Sequence, residues 1–229
     1  KRGKKVKTVV CIKQVPDTSE VKINPETNTL IRAGIPAIIN PYDLHALEEA
    51  LRLRDCCGGS VIALCMGPPS AAEQLKEAIG MGVDEAILLS DPSFAGADTL
   101  ATAYTLARAV EKIGGVSLVL CGKQAIDGDT AQVGPEIAEN LDWPHLTSVS
   151  KINDIDGDGI TAERMTDEGY ERLQLTLPAL LTVTREINEP RLPALRGMIR
   201  AKKATIPIWG PADLQTDPAK IGLQGSPTQ

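Results

Sequence analysis

Aromatic residues are nearly missing from this chain: they make up 3% of 229 residues, with one Phe, two Trp and three Tyr. Stacking platforms for nucleic-acid bases are therefore not present in number, and a core must be built from Leu, Ile, Val and Ala. Basic charge is also short. Lys and Arg total 24 against 30 Asp and Glu, a formal net charge of −6, which disfavours non-specific binding to nucleic acid. No run approaches the ~18 apolar residues of a membrane span, so no transmembrane segment is expected. The lysine-rich start KRGKKVK leads into a strand-like run and not into a signal peptide. The five cysteines form no CxxC pair and no metal-ligand spacing. Cys11, Cys65 and Cys121 sit in apolar runs, Cys56 and Cys57 at a helix end, and all read as reduced thiols in a reducing compartment. Absent too are GxGxxG, a Walker sequence and a nucleophile elbow. His45 and His145 then read as structural or surface residues, and the acids Glu48 and Glu49 as a solvated helix face.

What is present alternates. VKTVVCIK (6–13) reads as a buried strand, followed by two short runs flanking the turn signal at 24–28, a hairpin laid over the sheet. Asn40, Pro41, Tyr42 and Asp43 open a helix with an N-cap, a proline at the first position and an acid in the first turn. Its buried stripe is Leu44, Leu47, Ala50, Leu51 and Leu53, with Glu48, Glu49, Arg52 and Arg54 outward. SVIALCM and EAILLSD read as strands around a helix whose start carries Ser70 and Glu73 at capping-box spacing. A loop, DPSFAGAD, ends in Asp98, which can cap the helix TLATAYTLARAVEKI. Such alternation with continuous apolar strands implies a mostly parallel sheet with helices on both faces, a Rossmann-like α/β fold whose ligands bind at the carboxyl ends of strands.

Beyond residue 147 short alternating runs read as a β-meander with a hairpin tip at Asp156, Gly157, Asp158 and Gly159. The chain then divides into 1–185, an α/β nucleotide-binding domain with the meander, and 186–229, a proline-, glycine- and arginine-rich segment expected to lie extended along another surface.

The densest signal is 117–141, SLVLCGKQAIDGDTAQVGPEIAENL, a buried strand, a polar loop and a helix. Backbone N–H groups and a helix N-terminus at a strand end suit a phosphate or pyrophosphate, although a plain strand-to-helix turn has the same outline. Gly122 and Gly128 allow close backbone approach, and Lys123, Thr130 and Gln132 supply donors. Asp127 and Asp129 would repel a phosphate unless they turn away, cap the next helix, bind ribose hydroxyls or hold Mg²⁺. Two more strand ends belong to the same rim: Met66 and Gly67, and the helix start Asp98, Thr99, Thr102.

Together, GKQAIDGDTAQVG, INPYDLHALEEALRL, ALCMGPPSAAEQLKEAIGMG and NEPRLPALRGMIRAKK resemble the β subunit of electron transfer flavoprotein across nearly the whole chain. The resemblance implies a heterodimer with an α subunit that carries FAD, and a role in passing electrons between flavoenzymes as a carrier. It places adenine-nucleotide contacts on Cys11, Asn40, Pro41, Tyr42, Asp43, Met66 and Gly67. It adds the loop Gly122, Lys123, Gln124, Ala125, Ile126, Asp127 and Gly128, continued by Asp129, Thr130, Ala131, Gln132, Val133 and Gly134. It makes 191–203 a partner-recognition segment, with Leu195 and Met198 as apolar contacts and Arg191, Arg196, Lys202 and Lys203 as a basic rim. SDPSFAGADTLATAYTL resembles the electron-bifurcating members, in which this subunit holds FAD, takes electrons from NADH and sends them to ferredoxin or flavodoxin and, through the α-subunit FAD, to an acyl-CoA dehydrogenase. Asp98, Thr99 and Thr102 would then lie beside the flavin. The alternative is a non-bifurcating member with structural AMP in the same loop, relaying electrons between dehydrogenases and a quinone reductase. Members continue past the GSPTQ end with an arm on the α subunit. The expected location is the cytoplasm, or the mitochondrial matrix in a eukaryote. Two other classes stay open: a nucleotide-sensing module without redox function, and a phosphoryl-transfer enzyme using Asp127, Asp129 and Mg²⁺.

Overall fold

The computed structural model describes residues 5–17, 22–23, 30–31 and 36–228. Each long apolar run is a parallel strand of one sheet: β1 (Val6–Ile12), β6 (Gly59–Met66), β7 (Glu85–Leu89) and β8 (Leu118–Gly122). Between them run α1 (Pro41–Cys57), α2 (Ala72–Met81) and α3 (Thr99–Ile113), and α4 (Val133–Leu141) follows β8. The short strands β2 (Gln14–Pro16) and β5 (Ala37–Ile39) pair antiparallel, as do β3 (Lys22–Ile23) and β4 (Leu30–Ile31). That pairing is the expected hairpin; its turn at 24–29 lies outside the described residues.

Period two in the strands sorts the core into two layers. Val10 and Ile12 of β1 point to the face covered by α1 and α2, with Leu47, Leu51, Leu75 and Ile79. Val9 and Cys11 point to the opposite face, with Leu106, Val110 and Ile137 of α3 and α4. The aliphatic core expected from the composition is what forms, with Phe94 as its one buried Phe, Tyr or Trp among the described residues.

The meander is β9 (His145–Asp156), β10 (Gly159–Thr166) and β11 (Gly169–Thr176), antiparallel in sequence order. After it, β12 (Ala179–Val183) returns to pair parallel with both β9 and β8. The meander therefore extends the main sheet.

Three expectations are corrected. The 186–229 segment is not simply extended: it holds α5 (Leu195–Lys203), a two-residue strand β13 (Ile208–Trp209) and α6 (Pro211–Leu214). β13 pairs parallel with β7 and closes a nine-stranded order β11-β10-β9-β12-β8-β1-β6-β7-β13. Glu48 and Glu49 are buried, because residues 188–191 lie across that face of α1. Arg191 donates to Glu48 through its backbone N–H and its guanidinium, and Asn188 donates to Glu49 at 3.0 Å. Ser70 caps nothing: a 3₁₀ turn Pro69–Ala71 precedes α2, and Glu73 pairs instead with Lys76.

From β1 the chain steps outward through β6 to β7, then crosses back to place β8 on the other side of β1. The β1/β8 boundary is thus the topological switch point, where the diverging connections leave a crevice beyond the carboxyl ends.

Candidate functional site

A cavity of about 800 Å³ occupies that crevice. Its walls bring together most of the residues singled out from the sequence: Cys11, Asn40, Asp43, Met66 and Gly67 at the ends of β1, β5 and β6, then 122–125 and 128–134 after β8. Asp98, Thr99 and Thr102 of the α3 start complete the far wall. Four others do not line it. Pro41 is the first helical residue of α1, and Tyr42 turns to the other side, where the Arg185 guanidinium sits 4.7 Å above its ring. Ile126 and Asp127 face away, each tied to another segment.

Those ties explain how the loop is built. Asn40 carries no side-chain cap for α1. Its amide instead donates to Gln124 O at 2.9 Å and accepts from Ile126 N at 3.2 Å. Asp43 is buried and accepts from Lys13 N at 2.8 Å and Gly122 N at 3.1 Å. Burial pushes its carboxyl up to about 7, against the pull of those backbone bonds and Asn40. Lys13 also pairs with Asp127 at 2.8 Å across the outside of the loop, and Gln124 donates to Asp129. Both acids are thereby turned to protein donors, one of the ways out of phosphate repulsion.

The two loop glycines have different reasons. A Cβ on Gly122 would collide with the Asp43 carboxylate and Tyr42, so α1 packing demands that glycine. A Cβ on Gly128 would meet nothing within 4 Å and would project into open space beside the cavity. Asp129 (φ 57°) and Ala131 (φ 55°) are left-handed without being glycine, strain of the kind that clusters where a site over-determines the backbone. Such alternation turns successive N–H groups into an anion-binding concavity. Behind it α4 starts with no side-chain cap at Gln132, and Val133 and Gly134 of its first turn line the cavity. Uncapped N–H groups and the positive helix end suit a phosphate.

At the far wall Asp98 caps α3 by accepting from Ala101 N at 3.0 Å. Its second oxygen accepts from the Thr228 backbone and hydroxyl at 3.1 and 2.7 Å. Thr99 donates to Glu136 at 3.1 Å, whose other oxygen is buried with no partner. Burial, outweighing the Thr99 bond, holds the Glu136 carboxyl above its ordinary value. The Thr102 hydroxyl has no partner among the described residues. Phe94 and Leu106 bring apolar surface to the same end. The lining therefore offers a polar anion cradle at one end and an apolar wall with a free hydroxyl at the other, an arrangement that suits a phosphate-bearing ligand with an apolar part.

Sequence reasoning missed Lys13, Asp91, Phe94 and Leu106 among the lining residues. The one Phe of the chain, placed inside a polar loop, was a legible signal. Cys11, Cys65 and Cys121 cluster at the strand ends, but burial pushes Cys65 up to about 12, and a bond with Cys11 together with burial holds Cys121 above the usual thiol range. Among the described residues no group of three or more His, Cys, Asp or Glu is placed to hold a metal ion, and no helix is long and apolar enough to cross a membrane. His45 contacts Asn188 O at 2.9 Å, and His145 is exposed at the start of β9.

The residues expected to recognise a partner lie on and before α5. Leu195 is 70% exposed and Met198 44%, joined by Leu192 and Ile199, with Arg196, Lys202 and Lys203 exposed beside them. Arg191 is apart from this face, tied to Glu48 and Asp55.

Residues 27–214 match the electron transfer flavoprotein domain. The chain is 52% identical over 222 residues to electron transfer flavoprotein subunit beta of Thermoanaerobacterium thermosaccharolyticum, covering 96% of this chain and 85% of the relative. The chain belongs to the electron transfer flavoprotein β-subunit family. It is also 52% identical over 227 residues to the protein FixA of Azorhizobium caulinodans, with 96% and 81% covered. With the caffeyl-CoA reductase-Etf complex subunit CarD of Acetobacterium woodii it shares 50% over 225 residues, with 98% and 86% covered. Electron transfer flavoprotein β subunits pair with an α subunit, and the family is flavin-associated.

Proposed function

We propose that this β subunit belongs to the electron-bifurcating kind and that its cavity holds FAD. The reading rests above all on the cavity's reach: about 800 Å³, extending from the 128–134 loop to the start of α3, in the upper part of the range of small-molecule sites. AMP would use the loop and leave the Phe94, Leu106 and Thr102 end without a partner. Bound FAD would supply acceptance of hydride from NADH and release of single electrons to ferredoxin or flavodoxin and to the α-subunit FAD. The chain's own residues bind and shield. Loop N–H groups from Gly128 to Gly134 would hold the pyrophosphate, Thr99 and Thr102 would present hydroxyls at the ring, and Met66, Phe94 and Leu106 would exclude water. The neutral thiols of Cys65 and Cys121 add no competing charge.

An acyl-CoA dehydrogenase as acceptor is supported by the likeness to a subunit named for a caffeyl-CoA reductase complex. The α5 face, with Leu195 and Met198 inside the rim of Arg196, Lys202 and Lys203, is the proposed dock, and the proposed location is the cytoplasm. A second reading keeps AMP in the cavity. It is favoured by Asp98, whose two oxygens are already taken by Ala101 and Thr228.

Flavin and AMP released from the purified α–β complex separate the two. Two FAD per heterodimer and bleaching of the flavin spectrum by NADH are expected. One FAD with AMP, and no response to NADH, would establish the alternative.

A further inference from the structure

Two side chains at the start of α1 fasten the first half of the nucleotide loop to the end of β1. Asn40 takes Gln124 O and Ile126 N, and its own N–H donates to Lys13 O at 2.9 Å. Asp43 takes Gly122 N with one carboxylate oxygen and Lys13 N with the other. The approach is close enough that Gly122 has no room for a Cβ. Beyond Ile126 the backbone fastenings thin out to one loop bond, Asp129 N to Ala125 O, before α4 begins. The place of 122–126 is thus one of the supports of the 128–134 backbone, beside the Lys13–Asp127 and Gln124–Asp129 side-chain ties, the Lys123 N–H bond to Val183 O and the packing of Gly134 on Thr182.

We infer that Asp43 is the positioning residue of this loop, and that the loop's grip on an adenine nucleotide depends on whether the Asp43 carboxyl is charged. The inference rests on the nucleotide reading of the cavity.

The chemistry is a count of acceptors. An ionised carboxylate accepts from both N–H groups, and a protonated one spends an oxygen on its own hydrogen and leaves one backbone donor without a full partner. Asn40 holds its two contacts at any pH, so Asp43 alone makes the pinning titratable. Of the groups facing it, the Lys13 ammonium and the Asn40 side chain draw the carboxyl down against burial, Lys13 being also engaged by Asp127, while Cys65 and Cys121 are held as neutral thiols, with Cys11 hydrogen-bonded to Cys121. With its carboxyl near 7, Asp43 changes charge in the range where the protein would work.

The test measures release of the β-subunit nucleotide from the purified α–β complex after dilution, across about pH 5.5 to 8.5. Wild type should release it about tenfold faster below the inflection than above, the worth of one charge-assisted hydrogen bond. Asp43→Asn offers one acceptor oxygen as the protonated acid does, so it should release fast at every pH with no inflection. The amide shifts of Lys13 and Gly122 in nucleotide-stripped complex test the pinning with no ligand present; they should titrate together near pH 7 in wild type and stay flat in the variant. A flat wild-type release profile, an inflection retained in Asp43→Asn, or amides that do not titrate would each overturn the inference. Titrating amides in a complex that never carries a β-subunit nucleotide would support the pinning and sink the cofactor reading instead.

Discussion

Gly122 and Gly128 sit six residues apart in one loop and answer to different forces. At Gly122 the constraint is internal, since α1 approaches until only hydrogen fits. Gly122→Ala should cost about 1–3 kcal/mol, the usual cost of overpacking, read as a lower urea midpoint. Gly128→Ala meets no protein atom and should change stability by less than about 0.5 kcal/mol while weakening nucleotide retention. Equal stability losses in both would mean that Gly128 is also a packing residue. The sequence marked both glycines as sites of backbone approach and could not tell one from the other, because a glycine does not say which neighbour comes close. Asn40 and Asp43 were legible as helix-start residues. Their partners lie 30 to 86 residues away, so a cap was all that local spacing could suggest.

Among the elements, α1 and the strap at 188–191 are joined by charge as much as by apolar contact. Burial works to raise the Glu48 carboxyl, but bonds from the Arg191 side chain and backbone, and then from Arg52, bring it below its ordinary value of 4.5. A depressed carboxyl contributes stability above pH ~4.5 that is lost as pH falls through its folded value. Arg191→Ala leaves Glu48 buried with Arg52 as its remaining cation. The substitution should cost about 2 kcal/mol in denaturant melts at neutral pH, less at pH 4, and open the 188–203 segment to hydrogen exchange. A loss that does not shrink at low pH would show that the strap is held by packing alone. Gly197 of α5 packs against the Gly80 backbone, and the Arg200 guanidinium reaches the carbonyls of Val83 and Ile79. With that footing on α2, α5 presents Leu195 and Met198 outward on a fixed base.

For the whole molecule the shifted carboxyls pull in opposite directions. Asp43, raised from 3.8 to about 7, favours the folded state most when protonated, so its contribution fades as pH rises between those values. Glu48 and Asp55 are depressed, and their contribution fades as pH falls below about 4.5 and 3.8. Stability of the complex should therefore peak well on the acid side of neutrality, at about pH 4 to 4.5 by this balance, and fall from there toward pH 7. A scan of melting temperature against pH checks it, and Asp43→Asn should flatten the limb between pH 5 and about 7. A wild-type maximum at or above pH 8 would contradict the burial argument for Asp43.

By itself the sequence determined the alternation of apolar strands and helices, the Asp98 cap, the meander and its Asp-Gly tip, and the motifs that mark the family. All of these are written in windows of a few residues, where hydrophobic period and turn chemistry act. Only the tertiary structure decided that Glu48 and Glu49 are inside, that the C-terminal segment adds a strand to the sheet, and that Asn40 and Asp43 pin a loop instead of capping a helix. The partners in these cases come from elsewhere in the fold, as far as 143 residues along the chain for Glu48 and Arg191. Whether a charge is solvated or buried depends on what folds over it, and no local pattern carries that information.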